Sequence, residues 1–225
     1  MNKSVVAFLL LGLSACAGKL EYTPPIGNGN VVTQISVDKS KTELWDSVIA
    51  SLSKDFFVIN NIEKDSGFIN VSYSGAPSSF IDCGEISSYV KNAAGERTYR
   101  FGGEKENQIY ELMTDGLYFI DRNMKLEGRI NLVVREDSAS ASTLTANVLY
   151  TVTRTVRIRS AAGGQGAFSD SVTFNSKGVG MFPSPSSGRE GLRCVPTGAL
   201  ERRLLQAGLP PLDSVRLVPP LPSAQ

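Results

Sequence analysis

Histidine is absent from all 225 residues. That one absence removes Ser-His-Asp and Cys-His nucleophiles, histidine metal sites and a histidine general base together. A charge surplus is lacking too. With 23 basic against 22 acidic side chains, nothing favours a nucleic-acid partner, which would select for a basic excess. No apolar run is long enough to cross a bilayer as a helix, the nearest being Val5 to Leu13. The three cysteines form no C-x-x-C, so they point away from redox chemistry. Asp121-Arg122-Asn123 offers too few convergent oxygens for a calcium loop. No metal and no cofactor is expected.

What is present begins at the first residue. Met1-Asn2-Lys3 gives a positive start, Val5 to Leu13 a short apolar core, and small residues follow. This is the pattern of a secretory signal peptide over residues 1–15. The junction Leu13-Ser14-Ala15-Cys16 resembles the lipobox of bacterial lipoproteins, a likeness confined to residues 1–17. The resemblance implies cleavage before Cys16 and acylation of that cysteine, so that the membrane is reached through N-terminal acyl chains. With Ala17 rather than Asp after the cysteine, it also implies the outer membrane, with the domain facing the periplasm. Acyl chains anchor firmly because each buried methylene contributes about 0.8 kcal/mol. Cys83 and Cys194 are then the remaining thiols. An even pair in an oxidising compartment predicts a disulfide between them, the alternative being two separate buried thiols.

Residues 16–30 read as a lipidated tether, since Pro24-Pro25 and the following glycines and asparagines cannot hold a helix. A single α+β domain is expected over 31–208. Val31, Thr33, Ile35 and Val37 alternate as a strand would. Ser40 and Glu43 have capping-box spacing, and Leu44, Trp45, Val48, Ile49 and Leu52 predict one helix face over about 41–53. Strand signals follow at 56–63 and 68–73 about a turn at 64–67, then at 117–120, 129–135, 144–159 and 167–174. Residues 84–108 read as a long excursion, with Tyr99 and Phe101 as candidates for a short strand. Residues 161–166 read as a flexible link. Thr197 can cap a closing helix with Leu200, Leu204 and Leu205 inward. Five prolines from Leu209 onward predict an extended tail over 209–225.

Helices segregated from a mostly antiparallel sheet make an α+β fold, two helices packed on one sheet face. The Trp45 helix, the Asp65-Ser66-Gly67 turn and the closing helix resemble the helix-grip domains of BamC/NlpB-type envelope lipoproteins, over residues 31–75 and 125–207. Other chemistry is weak. Ser51-Leu52-Ser53-Lys54 matches S-x-x-K, but no S-D-N or K-T-G follows and both residues fall on the polar side of the helix. Gly27-Asn28-Gly29-Asn30 and Gly163-Gly164-Gln165-Gly166 lack the strand-then-helix setting of a phosphate loop. Arg154, Arg157 and Arg159 could meet lipid headgroups or an acidic partner, or simply keep a strand soluble. The expectation is a non-catalytic accessory or structural subunit of an outer-membrane or secretion assembly, its partner an envelope protein complex. The alternative is a periplasmic module holding a lipid, cell-wall fragment or other small molecule. An unfilled apolar cavity favours the module, and a flat exposed hydrophobic patch favours assembly.

Overall fold

The computed structural model describes residues 17–27, 31–54, 57–184 and 191–206. The signal peptide, Cys16 and the proline-rich tail lie outside the described residues. Strand β1 is Ala17–Thr23 and β2 is Gln34–Val37, followed by helix α1 (Lys41–Leu52), β3 (Val58–Glu63) and β4 (Phe68–Gly75). A short β5 (Ile81–Asp82) leads to β6 (Glu85–Asn92), β7 (Gly95–Gly102) and β8 (Asn107–Met113). Two very long strands come next, β9 (Leu117–Ser138) and β10 (Ala141–Ser160), then β11 (Gln165–Asn175), β12 (Gly180–Phe182), β13 (Leu192–Pro196) and helix α2 (Ala199–Leu205).

The main sheet runs β11-β10-β9-β4-β3, with β2 also paired to β10 and β8 to β9. Two smaller sheets have the orders β1-β6-β7 and β12-β13-β5, and every pairing is antiparallel. The fold is thus mostly antiparallel sheet with two helices.

A period of two makes the long strands what they are. The β9–β10 register sets Leu126 opposite Val152, Ile130 opposite Val148, Leu132 opposite Ala146 and Val134 opposite Leu144. All eight side chains are buried. Lys125, Glu127 and Arg129, in the other phase, are exposed. In α1 the capping box forms: the Ser40 hydroxyl accepts from the Glu43 amide, and the Glu43 carboxylate accepts from the Ser40 amide at 3.0 Å. Its buried Leu44, Trp45, Val48 and Leu52 belong to one core cluster with Leu200, Leu204 and Leu205 of α2 and the inner residues of β4, β9 and β10. At the β3–β4 turn, Gly67 has φ 74°, and a side chain there would strike the Val134 carbonyl. This glycine is required on both counts.

Under α2 the core holds a polar pair. Tyr150 donates from its hydroxyl to Glu201 Oε2 at 2.7 Å, and both residues are fully buried. Burial, reinforced by the Glu201 carboxylate, raises the phenol pKa, so the hydroxyl keeps its proton and remains the donor. Glu201 Oε1 has no partner among the described residues, so losing the hydroxyl would strand the carboxylate further. Tyr150→Phe is expected to cost about 1–3 kcal/mol in urea unfolding, the range for leaving a buried acceptor unsatisfied.

Several segments differ from expectation for identifiable reasons. Ala17–Thr23, expected as tether, is a strand because all seven residues pair with β6, with Pro24-Pro25 following directly after it. Within 84–108, read as an excursion, β6 and β7 form a hairpin and β8 begins at Asn107. Its inner phase mixes Ile86, Ser88, Tyr99 and Phe101, so no hydrophobic alternation marked it. The segments 117–120 and 129–135 are parts of one continuous strand. Residues 161–166 hold the turn of the β10–β11 hairpin, where the Ser160 amide donates to the Gly164 carbonyl at 2.8 Å. The cap of α2 is Gly198 with φ 73°, while the Thr197 hydroxyl accepts from the Ala199 amide at 3.3 Å.

Candidate functional site

The helices belong with only one half of the long strands. Beyond Leu126 and Val152 the inner face continues as Met124, Arg122 and Ile120 on β9, and as Arg154, Val156 and Ile158 on β10. Opposite it stands the β1-β6-β7 sheet. Its cross-strand row Tyr22–Ile86–Phe101 lies on a single face, as does Leu20–Ser88–Tyr99. Contacts with β8 fix the two sheets together: the Ser88 hydroxyl donates to the Glu111 carbonyl at 2.6 Å, and Arg97 pairs with the Glu111 carboxylate. Between the sheets lies a cavity of about 370 Å³ with a predominantly apolar wall that includes Leu20, Ile86, Leu112, Ile120, Val156 and Phe168.

Two arginines interrupt that wall, and they are in different electrostatic states. Arg154 is fully engaged. Its Nε and Nη2 donate to the two oxygens of Asp170 at 2.9 and 2.6 Å, Nη2 also reaches the Pro183 carbonyl, and the guanidinium lies over the Phe182 ring at 4.7 Å. This bidentate pair on adjacent strands is structural.

Arg122 has no such partner. Nη1 donates to the Gly103 carbonyl at 2.6 Å and Nη2 to the Gly102 carbonyl at 3.3 Å, with the Phe101 ring at 5.2 Å. Among the described residues its Nε has no acceptor, and the residue is 3% exposed. Among the described residues no carboxylate forms an ion pair with it. Burial brings its pKa down to about 10, despite opposing influences from Tyr110 and Glu104. Glu104 is occupied in accepting from the Cys83 amide at 3.0 Å. Glu21, on the cavity wall, is exposed and pairs with Lys19 at 2.6 Å. Tyr110, the aromatic on the β8 side, has its phenol pKa raised by burial. The cavity therefore combines an apolar wall with one guanidinium whose charge has no paired counter-charge among the described residues.

The residues singled out from sequence are distributed as follows. Cys83 and Cys194 are bonded, with Cα atoms 4.0 Å apart. Cys194 lies within β13. The Arg154/Arg157/Arg159 cluster divides between the two faces of β10. Arg154 turns inward, while Arg157 is exposed and approaches Asp121 at 3.6 Å, and Arg159 lies over the Phe119 ring. Ser51 ends the polar side of α1 and Lys54 is in the turn beyond it; among the described residues no hydrogen bond joins their side chains. Asn28 to Asn30 lie outside the described residues, as does Cys16. Arg122, passed over with Asp121 and Asn123, had a readable signal: it is a charge in the apolar phase of Ile120-x-Arg122-x-Met124-x-Leu126.

Among the described residues no cluster of acidic, cysteine or histidine side chains could hold a metal ion, and no helix is long and apolar enough to cross a membrane. Comparison of the chain with protein-family models, with curated protein sequences and with solved structures finds no match.

Proposed function

We propose that this chain is a lipid-anchored protein of the outer membrane, facing the periplasm, that acts by binding a small amphiphilic molecule in the cavity between its two sheets. The observation that carries this reading is the cavity itself. At about 370 Å³ it falls within the range of small-molecule sites, with an apolar wall and a few placed polar groups. The anchor rests on the lipobox Leu13-Ser14-Ala15-Cys16 behind a short apolar core. The disulfide suits an oxidising compartment. Binding rather than catalysis accords with a chain that has no histidine. Since β1 starts at Ala17, an acylated Cys16 would hold the domain directly against the lipid surface. We further read α1 and α2 as gripping one face of the sheet in the helix-grip manner of BamC/NlpB-type domains. Support comes from the single core cluster that both helices share with β9 and β10.

The test is native mass spectrometry of protein taken from envelope membranes. The expected result is acyl mass on Cys16 together with a non-covalent adduct that is lost on denaturation. Cys16→Ser should abolish the acyl mass and release the domain from the membrane fraction, with the adduct retained when ligand is supplied. Wild-type protein that lacks acyl mass and fractionates with soluble periplasm would refute the anchor; a domain that never carries an adduct would refute the cavity reading.

An assembly subunit is the second reading. On its side is the β3 edge of the main sheet, where Val58 is 62% and Ile62 44% exposed. Edges of this kind can accept a further strand. Crosslinking in intact envelopes, with capture through β3 positions, separates it from the cavity reading.

A further inference from the structure

Resting on the cavity reading, we propose that Arg122 is the headgroup subsite and that the ligand is a single-chain anionic amphiphile bearing a carboxylate or phosphate monoester. The contrast between the two arginines carries this. Arg154 is neutralised by a bidentate carboxylate. Arg122, at the same cavity, donates to two backbone carbonyls and lies over an aromatic face, and among the described residues it forms no ion pair. A buried cation without a counter-charge is unfavourable, and its cost is offset when an anion arrives. An arginine suits that role because its planar fork matches carboxylate and phosphate oxygens. Nη1 and Nη2 each give an N–H to the Gly103 and Gly102 carbonyls, and among the described residues Nε is a buried donor without an acceptor. The head is thereby positioned before any ligand binds.

The rest of the cavity sets the remainder of the ligand. Leu20, Ile86, Leu112, Ile120 and Val156 offer no hydrogen-bonding side chains, so what they contact must be hydrocarbon. The volume is near the lower end of small-molecule sites, which suits one acyl chain rather than two. A cationic or zwitterionic head would place a further positive group beside the unpaired Arg122.

Four probes separate the possibilities: dodecyl phosphate, dodecanol, dodecyltrimethylammonium and inorganic phosphate, each titrated calorimetrically into the intact domain after delipidation. Dodecyl phosphate should bind at least about tenfold more tightly than dodecanol, the difference expected of one charge-assisted hydrogen bond. The ammonium probe should be weakest of the three amphiphiles. In Arg122→Met the preference for the anion over the alcohol should vanish while dodecanol binding persists. Arg122→Lys, which keeps the charge without the fork, should retain part of the preference and serves if the methionine variant does not fold. Equal binding of dodecyl phosphate and dodecanol to wild type would overturn the headgroup assignment and leave the cavity reading intact. Failure of all three amphiphiles would overturn both. Inorganic phosphate binding as tightly as dodecyl phosphate would show a free-anion site and overturn the amphiphile.

Discussion

Replacing Cys83 and Cys194 together by alanine is expected to lower the unfolding free energy by about 4–5 kcal/mol, the chain-entropy value for a loop of about a hundred residues. The bond spans 111 residues. It therefore restricts the unfolded chain over about half its length, including β6 to β12. The folded side depends on it as well, because the β12-β13-β5 sheet is short: only two pairs link β13 to β5 and three link it to β12. Beside the bond, the Gly103 amide donates to the Gly84 carbonyl at 2.7 Å. The carbonyls of Gly102 and Gly103 are the ones that hold Arg122. Loss of the bond should thus loosen both the β6–β7 hairpin and the arginine cradle. Urea unfolding with and without reductant measures the first effect. Hydrogen exchange measures the second, with residues 84–103 losing protection before the β9–β10 ladder. A loss below about 1 kcal/mol, or two free thiols in protein from the periplasm, would show that the bond does not constrain the chain in this way.

The legibility of this fold follows the chemistry of each strand's inner face. Where that face meets the helices, its residues are aliphatic, and alternation exposes the strand. The strand read at 31–37, of which Gln34–Val37 forms β2, the strand at 68–73 and the first half of the one read at 144–159 follow this, as does α1 with its Ser40–Glu43 box. Where the inner face meets the cavity on β6, β7 and β9, the same phase holds Ser88, Tyr99 and Arg122, and the periodic signal fades; β10 stays readable to residue 159 because Val152, Val156 and Ile158 flank Arg154. Strand β9 shows the break within one element: 117–120 and 129–135 read as strand, whereas the stretch between them, with Arg122 in its inner phase, does not. The hairpin at 85–102 was hidden for the same reason, whereas the strand at 17–23 was hidden because only Leu20 and Tyr22 mark its inner phase ahead of Pro24-Pro25. The candidate site thus lies where the sequence pattern breaks down. An arginine in an apolar phase, once on each of two paired strands, was the available clue. The disulfide needed no geometry to predict, since removing one cysteine for the anchor leaves a pair.

Truncating Trp45 to alanine is expected to cost about 3–5 kcal/mol, as for a large aromatic removed from a packed core. It is 4% exposed and stands in the first turns of α1 beside Leu44 and Val48, within the cluster that includes Leu200, Ile69 and Leu132. A void there would fall among residues that are themselves fully buried, which limits collapse around it. Trp45 is the one tryptophan in the chain, so its emission reports this position alone. The native spectrum should be blue-shifted and should move to that of a water-exposed indole in a single step with unfolding. The division of the long strands adds a sharper requirement. Trp45 sits with the half of the sheet that carries the helices, whereas Arg122 and the apolar wall occupy the half facing β1 and β6. Trp45→Ala should therefore lose stability with the affinity for dodecyl phosphate unchanged at temperatures where it remains folded, whereas Arg122→Met should alter selectivity in the folded state. A native indole already exposed to water would remove Trp45 from the core, and a parallel loss of probe affinity in the folded Trp45→Ala protein would mean that the two halves of the sheet are one coupled unit.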